Sequence, residues 1–539
     1  MTETARYDVL IVGAGWSGMM ALHHMRTIGL SARLIEAGSD VGGTWYWNRY
    51  PGLRCDIESM HYSYSFDDDL QQEWVWSERY PSQPELLRYA QHVADRFDLR
   101  RDIQFNTRVT SMDFDAADDR WRVTCDTGDT LEARWCIMGT GALSTPKPLD
   151  IAGMTDFAGS SIHTATWPEE GVDMSGRRVA IIGTGSSGIQ AATEIAKDAA
   201  ELFVLQRTPS YSMPAHNRDL TADEVATTKS NYAQLREAAR NSLDGLALPS
   251  TGTSALDASQ AERDTAFQEI YDDGIPFRYL GVYNDILVDP AANATAATFV
   301  ANRIRDIVQD PATAATLIPS GYPFGTRRLC IDSGYYEIFN QPNVHLVDVL
   351  RAPIERITAT GISTTDTEIE VDCIVYATGY DAFTGTLTRI TIRGIDGVTL
   401  ADSWKDGAHA YLGLMVAGFP NLFTVTGPQS PSVLSNMIVS IEQHVEWITE
   451  CLDHMHRTGH TRIEATREAE QAWIAGAREI ADFTLHSAST SWYSGANISG
   501  KPRVVLPYLG GVGGFRAICN AVAADDYRGF TLSTVLQPA

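Results

Sequence analysis

Three things are scarce in this chain of 539 residues, and each scarcity removes a class of function. Cysteine is sparse and scattered: Cys55, Cys125, Cys136, Cys330, Cys373, Cys451 and Cys519 form no C-x-x-C pair. A disulfide framework, a zinc site and a dithiol redox pair all need closely spaced ligands or thiols, so the cysteines read as buried and reduced, and no metal is expected. Positive charge is scarce too. With 42 Lys and Arg against 68 Asp and Glu, the net charge of -26 argues against nucleic acid and anionic membranes as partners. It leaves room for local cations that grip a phosphorylated cofactor. Long apolar runs are the third absence. The longest, such as VLIV and VAII, are strand-sized, far below the roughly 20 residues that span a bilayer. The start MTETARY has no basic signal region, so the chain reads as cytoplasmic, with no obligate protein partner implied.

What the chain does have is a repeated nucleotide-binding pattern. YDVLIV reads as a strand and runs into G-A-G-W-S-G at Gly13, Gly15 and Gly18. An apolar helical pattern follows at Met19, Leu22, Met25 and Ile28, then a second strand, ARLIEAG, reaching Glu36, 18 residues past Gly18. Strand, glycines, helix, strand and acid in that order predict a dinucleotide-binding βαβ unit. The glycines let backbone approach a pyrophosphate, which the helix N-terminus attracts, and Glu36 accepts from ribose hydroxyls. The unit recurs at RRVAIIGTGSSGIQAATEIAKDAAELFVLQRTP, with Gly183, Gly185, Ser186, Ser187 and Gly188 in the loop. Here Arg207, 19 residues past Gly188, stands where the first unit has Glu36. A carboxylate repels a ribose 2′-phosphate and a guanidinium grips it, so the contrast predicts FAD in the first unit and NADPH in the second.

EIEVDCIVYATGYDA and WCIMGTGALSTP each read as an apolar strand leaving through a glycine turn, at Gly379 and Gly141. From Pro214 to about Gly321 the chain is Ala-rich, charged and helical in period, with Asp219 suited to a helix start and Asp306 to an exposed helix face. The expected fold is α/β, with two dinucleotide-binding, Rossmann-like domains. Residues 1–143 and 380–539 form the FAD domain, 144–213 and 322–379 the NADP domain, and 214–321 a helical insertion.

FAGSSIHTATWP, with Phe157, Gly159, His163, Trp167 and Pro168, resembles the F-x-G-x-x-x-H-x-x-x-W-P fingerprint of type I Baeyer–Villiger monooxygenases. The pattern G-G-x-W-x-x-x-x-Y-P-G-x-x-x-D is also present, at Gly42, Gly43, Trp45, Tyr50, Pro51, Gly52 and Asp56. GTRRLCIDSGYYE, GPQSPSVLSNM and SWYSGANISGKPR extend the resemblance over nearly the whole chain, nearest to the phenylacetone and steroid monooxygenase group. It implies an FAD enzyme that spends NADPH and O2 to convert a ketone to an ester or lactone, through a C4a-peroxyflavin and a tetrahedral adduct. The rival within the same fold is a flavin monooxygenase acting on sulfur or nitrogen. More remote are a flavin disulfide reductase and a non-catalytic redox sensor.

The resemblance also implies roles. Arg328 is the fixed cation beside the oxygen being transferred, suited to it because arginine does not give up its proton. Asp56 orients that guanidinium at the flavin. Arg207 and Thr208 clamp the 2′-phosphate, with Arg327 standing where the family usually has a lysine. Trp492 reaches the nicotinamide-side ribose or packs in the core, and Trp45 and Tyr50 line the flavin or the core. Tyr380, Pro431, Ser432, Val433, Leu434 and Met437 are candidates for the ketone wall. His163 is a lone histidine without ligand-spaced neighbours, and the chemistry requires no base there, so it reads as a structural pivot between domains.

Overall fold

In the computed structural model, which describes residues 5–534, both nucleotide units take the form their glycines predict. β1 (Ala5–Val12) runs through Gly13 into α1 (Trp16–Thr27), and β2 (Ala32–Ile35) returns parallel to β1. β3 (Arg178–Ile182), α2 (Ser186–Ile195) and β4 (Glu201–Gln206) repeat the pattern. Leu10, Ile11, Ala180 and Ile181 are fully buried, as strands covered on both faces must be. The third glycine of each loop is required by packing. A Cβ on Gly18 would stand 1.8 Å from the Gly13 carbonyl oxygen, and one on Gly188 would stand 2.0 Å from that of Gly183.

β1 and β2 belong to an eight-stranded sheet, to which Thr391–Arg393 and Leu422–Thr424 add from the C-terminal half. This domain is therefore built from both halves of the chain. The second sheet has five parallel strands, in the order Val344–Asp348, β4, β3, β5 (Cys373–Tyr376) and Ser160–His163. The domains meet at α2. Gly52 lies so close that a Cβ would be 2.6 Å from the Gln190 carbonyl oxygen, and Gln190 donates to the Arg54 carbonyl at 3.3 Å.

The insertion carries helices at Ala222–Ser230, Tyr232–Asn241, Gln260–Asp273, Pro290–Ile307 and Pro311–Leu317. Its first helix starts after Thr221 rather than at Asp219. Thr221 and Glu224 form a reciprocal capping box, and Asp219 has Ala222 three residues on, which cannot complete one. EIEVDCIVY is not one strand. Asp372 interrupts it, accepting from the Arg178 backbone N–H at 2.9 Å, so Glu368–Glu370 and β5 join different sheets. All seven cysteines are free and buried. Among the described residues no helix is long and apolar enough to cross a membrane.

Candidate functional site

The two loops are built alike and finished differently. Neither Gly15 nor Gly185, the residues capping α1 and α2, supplies a side-chain hydrogen bond, so the first-turn N–H groups remain free to bind a pyrophosphate. Nothing stands within 4 Å of where a Gly185 Cβ would lie, which leaves that loop open to a ligand. Gly43 packs on the first loop so tightly that its Cβ would be 2.7 Å from the Gly15 Cα, which is why the G-G-x-W segment needs glycine there. At the end of β2, buried Glu36 accepts from the Ala14 N–H at 2.6 Å and the Gly38 N–H at 2.7 Å. Its remaining lone pairs are free for ribose hydroxyls. Trp45, from the same segment, is buried with its ring 5.8 Å from that of Tyr62. Buried Tyr50 turns its hydroxyl to the Gln190 side chain of α2, at 3.3 Å, so it bridges the two domains.

At the end of β4, Arg207 is exposed and has no carboxylate partner among the described residues. Its charged neighbours are Lys147 and Arg327, both cations. Burial and then Arg207 lower the Lys147 pKa; burial also lowers that of Arg327, which Arg207 depresses further. Three neighbouring cations without a carboxylate partner among the described residues, in a chain of net charge -26, suit a phosphate by their chemistry. Thr208 completes the turn by accepting from the Thr184 hydroxyl at 3.0 Å. Arg327 stacks on Tyr322 at 4.1 Å and donates to the Thr490 carbonyl at 2.7 Å. Both loops therefore fit a dinucleotide, and the second is the one that fits an extra phosphate.

Arg328 and Asp56, 272 residues apart in the chain, form a two-pronged ion pair. Arg328 Nη2 donates to Asp56 Oδ1 at 2.8 Å, Nε donates to Oδ2, and Nη1 donates to the Val433 carbonyl. Phe277 of the insertion lies under the guanidinium at 4.7 Å. Burial works against the charge, but the charge and hydrogen bonds of Asp56 outweigh it and raise the Arg328 pKa above its already high ordinary value. The cation is permanent and held on three sides.

The Val433 carbonyl places the segment 431–437 against this pair. Pro431, Ser432 and Val433 are buried, while Leu434 and Met437 are half-buried. Thr426, Gln429 and Ser432 all have positive φ, at 54°, 60° and 42°, and none is glycine. Gln429 is held there from every side: it binds Ala408, Ala410 and Leu506, and its carbonyl accepts from the Trp473 indole at 3.2 Å. Strain kept by so many partners is typical of a shaped site. Tyr380 donates its hydroxyl to Asn48, and its carbonyl accepts from Asn497 at 2.7 Å. Trp492 is half-buried against Phe383, with ring centroids 5.9 Å apart, and it is its neighbour Tyr493 that is buried beside Arg328.

The fingerprint stretch is architectural. A Cβ on Gly159 would strike the Phe157 ring at 2.6 Å and the Asp372 carbonyl at 2.5 Å. His163 ends the strand beside β5. Its Nδ1 accepts from the Ala165 N–H at 3.0 Å, so Nε2 carries the proton and faces Thr378 Oγ1 at 3.3 Å. Trp167 is buried. Among the described residues no cluster of His, Cys, Asp or Glu could hold a metal. Phe277, Lys147 and Tyr493 were missed from sequence. Only Tyr493 carried a signal, its place beside Trp492 in SWYSGAN.

The family model described as pyridine nucleotide-disulphide oxidoreductase matches residues 10–237. The chain is 43% identical over 533 residues to the acetone monooxygenase (methyl acetate-forming) of Gordonia sp. (strain TY-5), covering 98% of this chain and 100% of that one. It is 41% identical to the phenazine N-monooxygenase PhzNO1 of Lysobacter antibioticus, covering 98% of each. A solved structure of oxidised steroid monooxygenase bound to NADP superposes with a TM-score of 0.94 at 46% identity, covering 98% of this chain and 100% of that one. With full-length relatives of this kind and two dinucleotide loops, the chain belongs to the flavin-dependent Baeyer–Villiger monooxygenases.

Proposed function

We infer that this chain consumes NADPH and O2 to insert one oxygen atom beside the carbonyl of a ketone, giving an ester or lactone. The observation that carries the reading is the buried Asp56–Arg328 pair, held against the 431–437 wall through the Val433 carbonyl. When bound, NADPH supplies a hydride and FAD passes the electrons to O2. The protein's part is positional and electrostatic. Arg207, Thr208 and Arg327 hold the 2′-phosphate, while Glu36 holds the ribose on the adenine side of FAD. Arg328 faces the negative charge that builds on the carbonyl oxygen as an oxygen atom adds to the carbonyl carbon. It stabilises that charge without donating a proton. Asp56 keeps its plane fixed, so no reorganisation accompanies the step. Val433, Leu434 and Met437 supply an apolar wall that suits a ketone and keeps water away. The free buried thiols suit a reducing cytosol, where the reading places the enzyme.

The kinship to a phenazine N-monooxygenase favours a second reading, oxygen transfer to a ring nitrogen. Mass analysis of products from the holoenzyme with NADPH, offered aliphatic, cyclic and steroid ketones and then an aromatic N-heterocycle, separates the two. A ketone gaining one oxygen as an ester supports the proposal. N-oxide with no ester from any ketone overturns it.

A further inference from the structure

The ketone wall and the segment that carries Asp56 are joined twice. Arg328 is one link, bound to Asp56 on one side and to the Val433 carbonyl on the other. The second link lies just beyond Leu434. Asn436 is 1% exposed, and its side-chain amide donates to the His61 carbonyl at 2.9 Å. Its Oδ1 accepts from the Ile438 N–H at 3.2 Å and so caps the helix Met437–Thr458, which begins with a wall residue. Segments 56–61 and 433–436 are thus the two sides of a closed ring, with Arg328 and Asn436 as its ends.

The insertion grips this ring at the Asn436 end. Arg236, on the helix Tyr232–Asn241, donates to the same His61 carbonyl at 3.0 Å, to the Gln71 side chain at 3.1 Å and to the Ser63 hydroxyl at 2.6 Å. It is buried, with its guanidinium 4.9 Å from the centre of the Tyr232 ring. From the end of the same helix the chain turns onto Asn436 itself. The Asp244 carbonyl accepts from the Asn436 backbone N–H at 2.8 Å. Gly245 follows with a φ of 74°, and a Cβ there would stand 3.3 Å from the Asn436 Cβ.

We propose that Asn436 is a positioning residue that sets the distance between the Arg328 cation and the ketone wall, and that Arg236 gives the insertion control of it through the shared His61 carbonyl. The inference rests on the ketone reading above. A carbonyl oxygen has two lone pairs, so both donors bind at once and share one anchor. Without the Asn436 amide, Arg328 alone ties the wall to Asp56, and a tether through one side chain lets the wall swing. A bulky ketone then gains room. A small one loses the contacts that hold its carbonyl toward the cation.

The test uses two variants of the holoenzyme. Asn436→Ser removes the amide and keeps a capping oxygen, while Arg236→Met removes the donors and keeps an unbranched stem. The quantity read is kcat/KM for the bulkiest over that for the smallest of the aliphatic, cyclic and steroid ketones that the enzyme converts. Asn436→Ser should raise this ratio roughly fivefold and Arg236→Met roughly threefold, with flavin reduction by NADPH unchanged. Because both act through His61, the double variant should fall short of the product of the two. A kcat/KM that falls equally for both ketones overturns the proposal, since the cap and the arginine then serve only the fold. Effects that multiply in the double variant overturn the shared anchor. If Asn436→Ser does not fold, an unchanged ratio in Arg236→Met still overturns the proposal. If the unaltered enzyme makes no ester from any ketone, the functional reading itself has failed, a result distinct from these.

Discussion

The two nucleotide units share strand, loop and helix but end in opposite chemistry. Glu36 closes the first as a buried carboxylate, already bound by two backbone N–H groups. Arg207 closes the second as an exposed guanidinium without a counter-charge among the described residues, flanked by Lys147 and Arg327. The first terminus is finished within the protein, as suits a cofactor that stays. The second is left unsatisfied, as suits a ligand that arrives, binds and leaves. On the reading proposed above, one βαβ design serves a resident and a transient cofactor, and the residue that ends the second strand carries the main difference.

The strongest way to break the comparison is to disable one loop at a time. Gly18→Ala forces a Cβ into the Gly13 carbonyl, and Gly188→Ala does the same to Gly183, so both are strained alike. The expected outcomes differ. Gly18→Ala yields protein without flavin colour or no folded protein, while Gly188→Ala stays yellow and loses reduction by NADPH. Visible absorbance and NADPH titration check this, and colour lost equally from both would dissolve the distinction. Next in size is Arg328→Ala, which falls in neither loop. Removing the cation should lower ester formation about a thousandfold while NADPH still reduces the flavin in part. Normal ester yield would take Arg328 out of the reaction. Smaller again is Arg207→Ala, expected to raise the KM for NADPH roughly thirtyfold and leave that for NADH nearly unchanged. Equal changes with both coenzymes would mean that Arg207 does not read the 2′-phosphate.

The loops were legible because their first and third glycines sit where a Cβ would strike backbone, and that constraint is written in the chain. Glu36 and Arg207 were legible because their spacing from the loop is set by helix and strand length. The Asp56–Arg328 pair was not legible from spacing, since its partners lie 272 residues apart; only the likeness of two motifs to a family joined them. Phe277 was invisible because the insertion folds back over the site, a tertiary fact without a local pattern. Positive φ at Thr426, Gln429 and Ser432 was equally hidden, because neighbours rather than glycine hold it. Asp219 misled for a simpler reason. A good capping residue lay two positions before a better one, Thr221, which has Glu224 to complete its box.

The smallest expected effect sharpens the contrast between domains by pH. His163, in the second domain, has its pKa lowered by burial, and Nδ1 must stay unprotonated to accept from Ala165. Its contribution is complete above the ordinary value of 6.5 and is lost as pH falls from there toward the folded value. His409, in the first domain, is the reverse. Burial opposes its charge, but Glu470, 3.0 Å away, outweighs that by hydrogen bond and charge and raises the pKa. That contribution is complete below 6.5 and is lost as pH rises through the folded value. His163→Gln should therefore flatten the acid side of the melting profile, and His409→Gln the alkaline side, each by a degree or two in Tm. Melting of the holoenzyme from about pH 5 to 8 reads both. Slopes of the same sign would mean that the domains do not differ in this respect. Opposite slopes would tie acid sensitivity to the strand that carries His163 beside β5, the element against which the second nucleotide loop packs.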